Sequence, residues 1–425
     1  MKILKTKILV FVLLAILVFF FSNDFVLIDV EKTSILTAIA IDIGNDGDYI
    51  VTAQIAVPEA TDTNTENKKA QISGKGKTIA GAIRDMGDVS GWFPKLSFCN
   101  LILLGPSLKG TNVIKVLDYF AKTLKVQDSA LVALTEGKAS DIISISTPLD
   151  NISAFALQKV MLKNPGFDRD VATLDIKTFC TSHHSPASSS YMPIVRVINA
   201  NIDPDNPTQE KENSGDSSSQ NSSSSSGSST GETGSTPKEN SGSGSKGGEK
   251  NNNLFDTRET ALFKNGYYVG KLSADSTFVL NALNTSFDGT TIPIDSVLYE
   301  HGQLVNFLLY VLKSNANVSL NVSDTEIVYT VNLNVYCKVI DNNSENSDLA
   351  FSQNIPLPEQ VKIKATDFFK NEIQTLIDTS KETGCDFLKI KEKLYRFHNK
   401  QYSRFNDDFL SKVKTSFNIN VHGQT

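Results

Sequence analysis

The sequence predicts a mixed α/β and α+β protein of three domains behind an N-terminal membrane anchor. Three observations lead to this fold class. The chain has 425 residues, more than a single hydrophobic core usually serves. Apolar residues recur with both strand and helix periods along most of it. Residues 203–253, rich in Ser, Gly and Asn, are too polar to bury a core and are predicted to be a disordered insertion. We place the domains at residues 29–147, 148–284 and 285–425.

The composition excludes several classes of protein. The net charge is −6 and acidic and basic residues are mixed along most of the chain, which argues against nucleic acid as the main partner. The four cysteines are widely separated, so neither a disulfide framework nor a zinc site is indicated, and we expect isolated buried thiols. These cysteines are Cys99, Cys180, Cys337 and Cys385.

Residues 1–28 are predicted to be the anchor. Lys2, Lys5 and Lys7 precede an unbroken apolar run from Ile8 to Phe21. As a helix this run covers only about 21 Å of a hydrocarbon core roughly 30 Å thick, which is also the length of a signal-peptide core. No small-x-small cleavage site follows it, so we favour an uncleaved anchor. The lysines should keep the N-terminus in the cytoplasm and send the rest of the chain outside.

The first domain begins with two predicted strands, at residues 34–44 and 48–57. Between them, Asn45-Asp46-Gly47-Asp48 is typical of a hairpin, because Asp-Gly adopts positive φ angles at little cost. In the second strand Val51, Ala53 and Ile55 alternate with Thr52 and Gln54. This pattern predicts a strand that buries only one face.

The rest of the first domain is predicted to alternate helices and strands. A polar loop at residues 61–69 comes first, followed by the helices and strands of an ordinary α/β domain. They are a helix with Ile79, Ile83 and Met86 on one face, a strand within residues 98–105 that is buried on both faces, a helix with Val113, Leu117, Phe120 and Leu124, and a strand at residues 130–134.

Gly76-Lys77-Thr78 resembles the end of a phosphate-binding loop. That motif needs a glycine five positions before Gly76, where this chain has Gln71. Thr78 stands directly before the helix that contains Ile79, and threonine is a favoured N-cap. We therefore interpret Thr78 as a helix cap, and nucleotide binding is not expected.

Two possible metal-binding sites are also rejected. Asp42, Asp46 and Gly47 suggest a calcium loop, but Ala53 occupies the position that requires a bidentate carboxylate. His183-His184 is predicted to lie in a polar, solvated loop without further ligands at metal spacing. No catalytic, cofactor-binding or metal-binding residue is therefore assigned, and the partner-binding residues stay unknown.

The middle domain is predicted to combine a helix with strands, and the last domain is predicted to be α+β. In the middle domain a helix at residues 154–164 precedes a strand at 191–198, which should pair with a hairpin at 260–272 that turns at Asn265-Gly266. The insertion would then be a flexible loop inside this domain, with a reach of roughly 35–40 Å. The last domain has alternating strands, two helical faces and a closing strand. The alternating strands lie within residues 317–340. One helical face has Phe369, Ile373, Leu376 and Ile377, and the other has Phe387, Ile390 and Leu394. The closing strand is residues 411–425.

Four segments, taken in order, resemble one known family. They are residues 31–60, residues 76–143 with Gly137-Lys138-Ala139 before a helix, residues 261–277 and residues 385–402. Their order is similar to that of the Ger(x)C family, the C subunits of spore germinant receptors. Within the third segment, Phe263-Lys264-Asn265-Gly266 matches a family hairpin, for which a turn and packing role is the simplest explanation.

The resemblance implies a three-domain extracytoplasmic protein on the outer face of the inner spore membrane. It would act in spore germination through contacts with integral-membrane A- and B-type subunits, without catalysis or cofactor. Whether it contacts the small-molecule germinant stays open. The family's lipobox cysteine is absent after the apolar run, where residues 22–32 read "SNDFVLIDVEK", so the predicted tether is the helix itself. The alternative is an exported, anchored solute-binding or scaffolding protein of related fold.

Overall fold

The computed structural model describes most of the chain from Thr33 onwards. The described residues are 11–14, 33–56, 69–122, 126–162, 171–199, 253–284, 289–298, 302–343, 357–405 and 409–423. Residues 11–14 are helical. The rest of the predicted anchor, nearly all of the predicted insertion and Leu124 lie outside these ranges.

The first part of the fold is a mixed sheet of eleven described strands. Its order is β11-β10-β8-β6-β5-β1-β2-β3, and β4, β7 and β9 pair with β1, β6 and β8. The central strands β1, β5, β6 and β8 run parallel, and both edges are antiparallel. The strands are β1 Thr33–Ile43, β2 Tyr49–Ala56, β3 Lys69–Gly76, β4 Phe93–Lys95, β5 Leu101–Leu104, β6 Leu131–Thr135, β7 Leu174–Asp175, β8 Ser189–Asn199, β9 Asn253–Asp256, β10 Thr260–Lys264 and β11 Tyr267–Leu272.

Helices cover both faces of this sheet. The described helices are α1 Ile79–Ser90, α2 Val113–Lys122, α3 Ala139–Ser144, α4 Ser153–Met161, α5 Ile176–His183, α6 Ala274–Asn284, α7 Glu359–Thr383, α8 Ile390–Phe397 and α9 Asn399–Tyr402. One core cluster joins α1, α2 and α5 to the sheet, and a second joins α3 and α4 to its other face. The second face carries small residues such as Ala38 and Ala40, which let the short helices approach closely.

The C-terminal part is a separate four-stranded sheet in the order β12-β13-β14-β15. The strands are β12 Thr290–Leu298, β13 Leu304–Val322, β14 Ile327–Asn342 and β15 Val413–Gly423. β14 alternates buried and partly exposed residues over most of its length, because α7 covers one face of the sheet. The predicted helix face with Phe369 is confirmed on α7, and the predicted closing strand is confirmed as β15.

Turn and cap predictions from the sequence are confirmed. Gly47 has a φ of 82° in the turn between β1 and β2, and Asn265-Gly266 turns the β10–β11 hairpin, which pairs with β8. The Thr78 hydroxyl accepts a hydrogen bond from the amide of Gly81 at 3.1 Å, so it is the N-cap of α1. A Cβ on Gly74 would lie 2.1 Å from the carbonyl oxygen of Ala82, so this glycine allows close packing of β3 on α1.

Three predictions about local structure were wrong. Lys69 was placed in a polar loop but begins the edge strand β3, which pairs along all of β2. The Gly and Lys residues of β3 are not typical of a strand, so the sequence did not reveal it. His183-His184, also placed in a loop, ends and caps α5. β2 is buried on both faces, with Gln54 fully buried, because α3 and α4 cover the face predicted to be exposed.

The predicted boundary at residue 147 separates strands that share one sheet. β6 lies before it and β8 after it, and the two strands pair in parallel. Whether the segments on either side of 147 and 284 fold independently stays a prediction.

Two buried polar side chains hold α3 and α4 on the sheet. The Gln54 amide donates to the carbonyl of Ile143 at 2.9 Å and to the hydroxyl of Ser153 at 3.0 Å, and it accepts from the amide of Ala154 at 3.0 Å. The Asp42 carboxylate accepts from two amides in the first turn of α3, at 3.0 and 3.1 Å. Both groups thus satisfy helix ends that would otherwise be buried without partners.

Asp42 therefore has a structural role in place of the calcium role that its sequence context suggested. The donors to its carboxylate are the amides of Ala139 and Ser140, and the first of these belongs to Gly137-Lys138-Ala139. A Cβ on Gly105 would lie 1.8 Å from the Asp42 carboxylate, so a larger residue at position 105 would displace the carboxylate that caps α3.

We expect Gln54→Ala to destabilise the large sheet by roughly 2–4 kcal/mol, because buried amide and carbonyl groups on α3 and α4 lose their partner. The free energy of unfolding, from urea denaturation followed by circular dichroism, measures this. Gln71→Ala is the matched control, since Gln71 faces Gln54 across the β2–β3 ladder but is exposed. Equal effects of the two substitutions would contradict the assigned role.

Candidate interaction groove

The junction between the two sheets is a short corner, Cys385-Asp386, after α7. The Cys385 thiol lies 3.3 Å from the carbonyl oxygen of Phe263 in β10, and the Asp386 amide donates to the hydroxyl of Ser189 in β8 at 2.9 Å. The hydroxyl of Ser380 in α7 donates to the Cys385 carbonyl at 2.8 Å. The corner thus connects the last turns of α7 to two strands of the large sheet.

Asp386 also begins the next helix. Its carboxylate accepts from the amides of Ile390 at 2.9 Å and Lys391 at 2.7 Å, at the N-terminus of α8. The positive end of the helix dipole favours a carboxylate here. Phe387, Ile390 and Leu394 are buried in the C-terminal core, so one face of α8 is fixed and the opposite face stays exposed.

Burial dominates the electrostatics of Asp386. The side chain is 1% exposed, and desolvation raises its pKa to about 7 against the opposing effect of the two amides. Tyr329, also buried, has its pKa raised by desolvation and then by the negative charge of Asp386. Lys393 has its pKa lowered by desolvation, and its ammonium lies 5.8 Å from the Tyr329 ring centroid. Asp386 therefore titrates close to neutral pH at the junction of the two sheets.

A groove lies beside this corner, between α5 and α8, and we call it the α5–α8 groove. Its volume is about 550 Å³, within the range of small-ligand and peptide-side-chain sites. The lining residues are Lys177, Thr178, Thr181, Ser182, His184, Ser185, Pro186, Lys389, Glu392, Tyr395 and Arg396.

Each wall of the groove is the solvent face of an amphipathic helix. Asp175 caps α5 by accepting from the Thr178 amide at 2.6 Å, and the buried Phe179 contacts Phe263 edge to face at 5.5 Å. This orientation directs Lys177 and Thr181 outward. On α8, the buried Ile390 and Leu394 leave the charged and aromatic residues of the helix facing the groove.

The charge of the groove is mainly positive. Lys177, Lys389 and Arg396 line it with a single carboxylate, Glu392, which pairs with Arg396 one helical turn away. Lys177 pairs with Asp128 at 3.1 Å, but that pair is exposed and contributes little stability. The surplus of cations suits an anionic ligand or an acidic segment of a partner.

The described residues of the groove form no recognisable catalytic arrangement. His183 and His184 meet edge to face with ring centroids 5.0 Å apart, and the pKa of His183 is lowered by desolvation and by its neighbour. Within the described ranges no three His, Cys, Asp or Glu side chains are placed to share a metal ion. Only His184 of the pair lines the groove.

The prediction of isolated buried thiols is confirmed. All four cysteines are free and buried. Desolvation raises the pKa of Cys99 and Cys385 to about 12 and that of Cys180 and Cys337 to about 11. Thiols that do not ionise at neutral pH are poor nucleophiles.

The sequence did not identify the groove or Asp386 as special. Residues 385–402 were noted for their resemblance to the family, for the Cys385 thiol and for a helical face with Phe387, Ile390 and Leu394, but Asp386 was not singled out. One signal was present: an aspartate a few residues before the apolar face of a helix is typical of a helix start. That this carboxylate is buried depends on Ser189 and β14, which are distant in the sequence.

We expect Asp386 to make the chain less stable as the pH rises from about 4 to about 7. The folded protein holds the proton up to about pH 7, whereas an unfolded aspartate loses it near pH 3.9, so the folded state binds more protons in this interval. Thermal unfolding midpoints between pH 4 and 8 measure the slope. In Asp386→Asn the part of this slope that Asp386 contributes should disappear, because asparagine does not titrate.

Asp175→Asn provides the control for this titration, because Asp175 caps the opposite wall of the groove but is only partly buried. Its pH profile should follow that of the unmodified chain. A profile of Asp386→Asn that also follows it would contradict the assignment of the titration to Asp386.

Comparison with known proteins places the chain in a family. The model described as "Spore germination protein N-terminal domain" matches residues 28–197, and the one described as "Spore germination B3/GerAC like, C-terminal" matches residues 258–424. Spore germination protein B3 of Bacillus subtilis (strain 168) is 30% identical over 125 residues, 28% of this chain and 33% of that protein. The match thus spans about a third of the relative's length.

A solved structure, the crystal structure of the GerBC protein, superposes on 93% of this chain and 100% of its own with a TM-score of 0.48 and 16% identity. The family models match the chain on both sides of the segment 198–257, and they include both walls of the groove. The chain belongs to the Ger(x)C family of spore germination proteins.

Proposed function

We propose that the chain is the non-enzymatic C subunit of a spore germinant receptor. The observation that carries this proposal is the match of both family models, in order, to residues 28–197 and 258–424. The relative named spore germination protein B3 supports the same process. The subunit then acts in germination by contact with other proteins rather than by chemistry.

The chemistry of the described residues supports a role without catalysis. The thiols are buried and protonated, and the described part of the chain has no cluster suited to a metal ion. Buried polar groups such as Gln54 and Asp42 are engaged with backbone amides and carbonyls, where they stabilise the fold. These are properties of a rigid binding module.

The subunit is tethered, in this proposal, to the outer face of the inner spore membrane. The support is the apolar run from Ile8 to Phe21 behind three lysines. In the described part of the chain, no helix has the length and apolarity needed to cross a bilayer.

The partners in this proposal are integral-membrane A- and B-type receptor subunits, and the α5–α8 groove is where we expect one of them to bind. It lies at the junction of the two sheets, it has a positive charge, and it includes part of the family-like segment 385–402. A rigid junction can transmit contact at the groove to both sheets, since the corner bonds to β8 and β10.

The volume of the groove also supports a second candidate, an exported and anchored protein that binds an anionic solute. A space of about 550 Å³ with Thr, Ser and Tyr side chains beside cations can accommodate a small anion. Such a protein would bind its ligand without A- or B-type subunits, which distinguishes the two candidates.

We expect spores in which this chain is deleted to lose the response to one class of germinant, and the intact gene to restore it. Lys389→Glu with Arg396→Glu reverses the charge of one groove wall, and it should restore markedly less of the response because an acidic partner is repelled. Germination is followed by the fall in optical density of the spore suspension.

Lys115→Glu with Lys364→Glu is the matched control, since it changes the net charge equally at exposed positions outside the groove. Immunoblots verify that both variants reach the spore. If deletion leaves every germinant response intact, the proposed function is wrong. If both double variants restore the response fully, the assignment of the groove is wrong.

A further inference from the structure

A second surface of the molecule exposes large apolar side chains close to where the described fold begins. Five such residues are between 38% and 75% exposed, and we call them, together, the aromatic patch. They are Ile35, Val89, Trp92, Phe93 and Phe98. Apolar side chains of this size, grouped on one surface, are a signature of a binding site for a protein or a membrane.

The strand register shows that the patch is continuous. β4 pairs in parallel with the start of β1, so that Thr33 lies beside Phe93 and Ile35 beside Lys95. Alternate residues of a strand share a face, which puts Ile35, Phe93 and Lys95 on the same side of this pair. The Lys95 ammonium lies 5.7 Å from the ring centroid of Phe98, which extends the patch into the following turn.

The end of α1 adds the remaining members of the patch. Gly91 ends the helix with a φ of 71°, and Trp92 follows directly, 47% exposed, before Phe93 enters β4. A Cβ on Gly87 would lie 3.4 Å from the Trp92 carbonyl oxygen, so the last turn of α1 packs against this segment. Val89, 75% exposed, belongs to the same turn. An exposed Arg84–Asp88 ion pair at 3.5 Å lies on the same part of α1.

We propose that the aromatic patch is a membrane-contact surface that rests on the lipid bilayer beside the anchor. This inference depends on the proposed tether. Residues 22–32 separate the apolar run from β1, and eleven residues span at most about 40 Å when fully extended. The patch contains the first described residues after that connection, so it is the part of the fold that the tether keeps nearest to the bilayer.

The composition of the patch favours lipid as the occupant. Tryptophan is enriched at the level of the lipid headgroups, since its ring is apolar and its N–H can reach water. Trp92 is the only tryptophan in the chain. Lys95, on the same face, can extend its ammonium to anionic headgroups while its stem covers apolar surface. Because the anchor makes this contact intramolecular, a weak interaction is sufficient to orient the domain.

The single tryptophan allows a direct test with the full-length chain. The chain is reconstituted into vesicles of phosphatidylethanolamine and phosphatidylglycerol, with or without lipids brominated at the upper acyl carbons, and flotation verifies that it is bound. We expect Trp92 emission to shift to shorter wavelength on reconstitution and to lose most of its intensity in the brominated vesicles.

Two variants serve as controls. The chain with Trp92→Phe and Phe397→Trp moves the fluorophore to another exposed apolar site, on α8, and should not be quenched. The chain with Phe93→Ser and Phe98→Ser keeps Trp92, changes only exposed positions and should float as before but lose most of the quenching. Equal quenching from position 397, or full quenching without the two phenylalanines, would overturn the proposal.

The remaining outcomes separate the patch from the tether. A chain that floats while Trp92 emission is the same in brominated and plain vesicles refutes the membrane-contact surface and leaves the tether and the receptor role intact. Short-wavelength emission without quenching means that another segment of the chain or a second copy covers the patch, which also refutes it. A chain that does not float refutes the tether and the patch together, whereas the germination experiment tests the receptor role separately.

Discussion

The buried residue Asp386 joins the two sheets through its hydrogen bonds. It begins α8 by accepting two amide hydrogen bonds, while its own amide bonds to Ser189 in the large sheet. A buried polar group is tolerable only when it is hydrogen-bonded, so the start of α8 and the start of β8 are constrained together. The α5–α8 groove lies beside this corner.

Buried polar side chains also bond to helix ends on the large sheet. Asp42 caps α3, and Gln54 is bonded to groups that precede and begin α4, so two short helices are held by polar contacts as well as by small apolar residues. Short helices have little stability of their own, and each needs its exposed amides satisfied. These contacts fix the two short helices on the sheet.

Much of this fold follows from local sequence patterns. The hairpin at Asn265-Gly266, the Thr78 cap and the alternation of β14 each depend on a few neighbouring residues, and each was predicted. The failures concern residues whose environment is set from a distance. The polar residues of β2 were expected to face solvent, and only the packing of α3 and α4 reveals why Gln54 is buried. Asp386 and the groove were not predicted for the same reason, since the contacts that form them are distant in the sequence. Ser189, for example, is almost 200 residues from Asp386.

We propose that this Ger(x)C chain acts by contact with other receptor subunits at the α5–α8 groove. A photoreactive amino acid at Tyr395, 49% exposed in the groove, tests it most directly when spores are irradiated and the products are identified by mass spectrometry. We expect crosslinks to an A- or B-type subunit from this position and none from Tyr336 on β14, which is similarly exposed at 42%. No crosslink from Tyr395, or equal crosslinks from both positions, would contradict the claim.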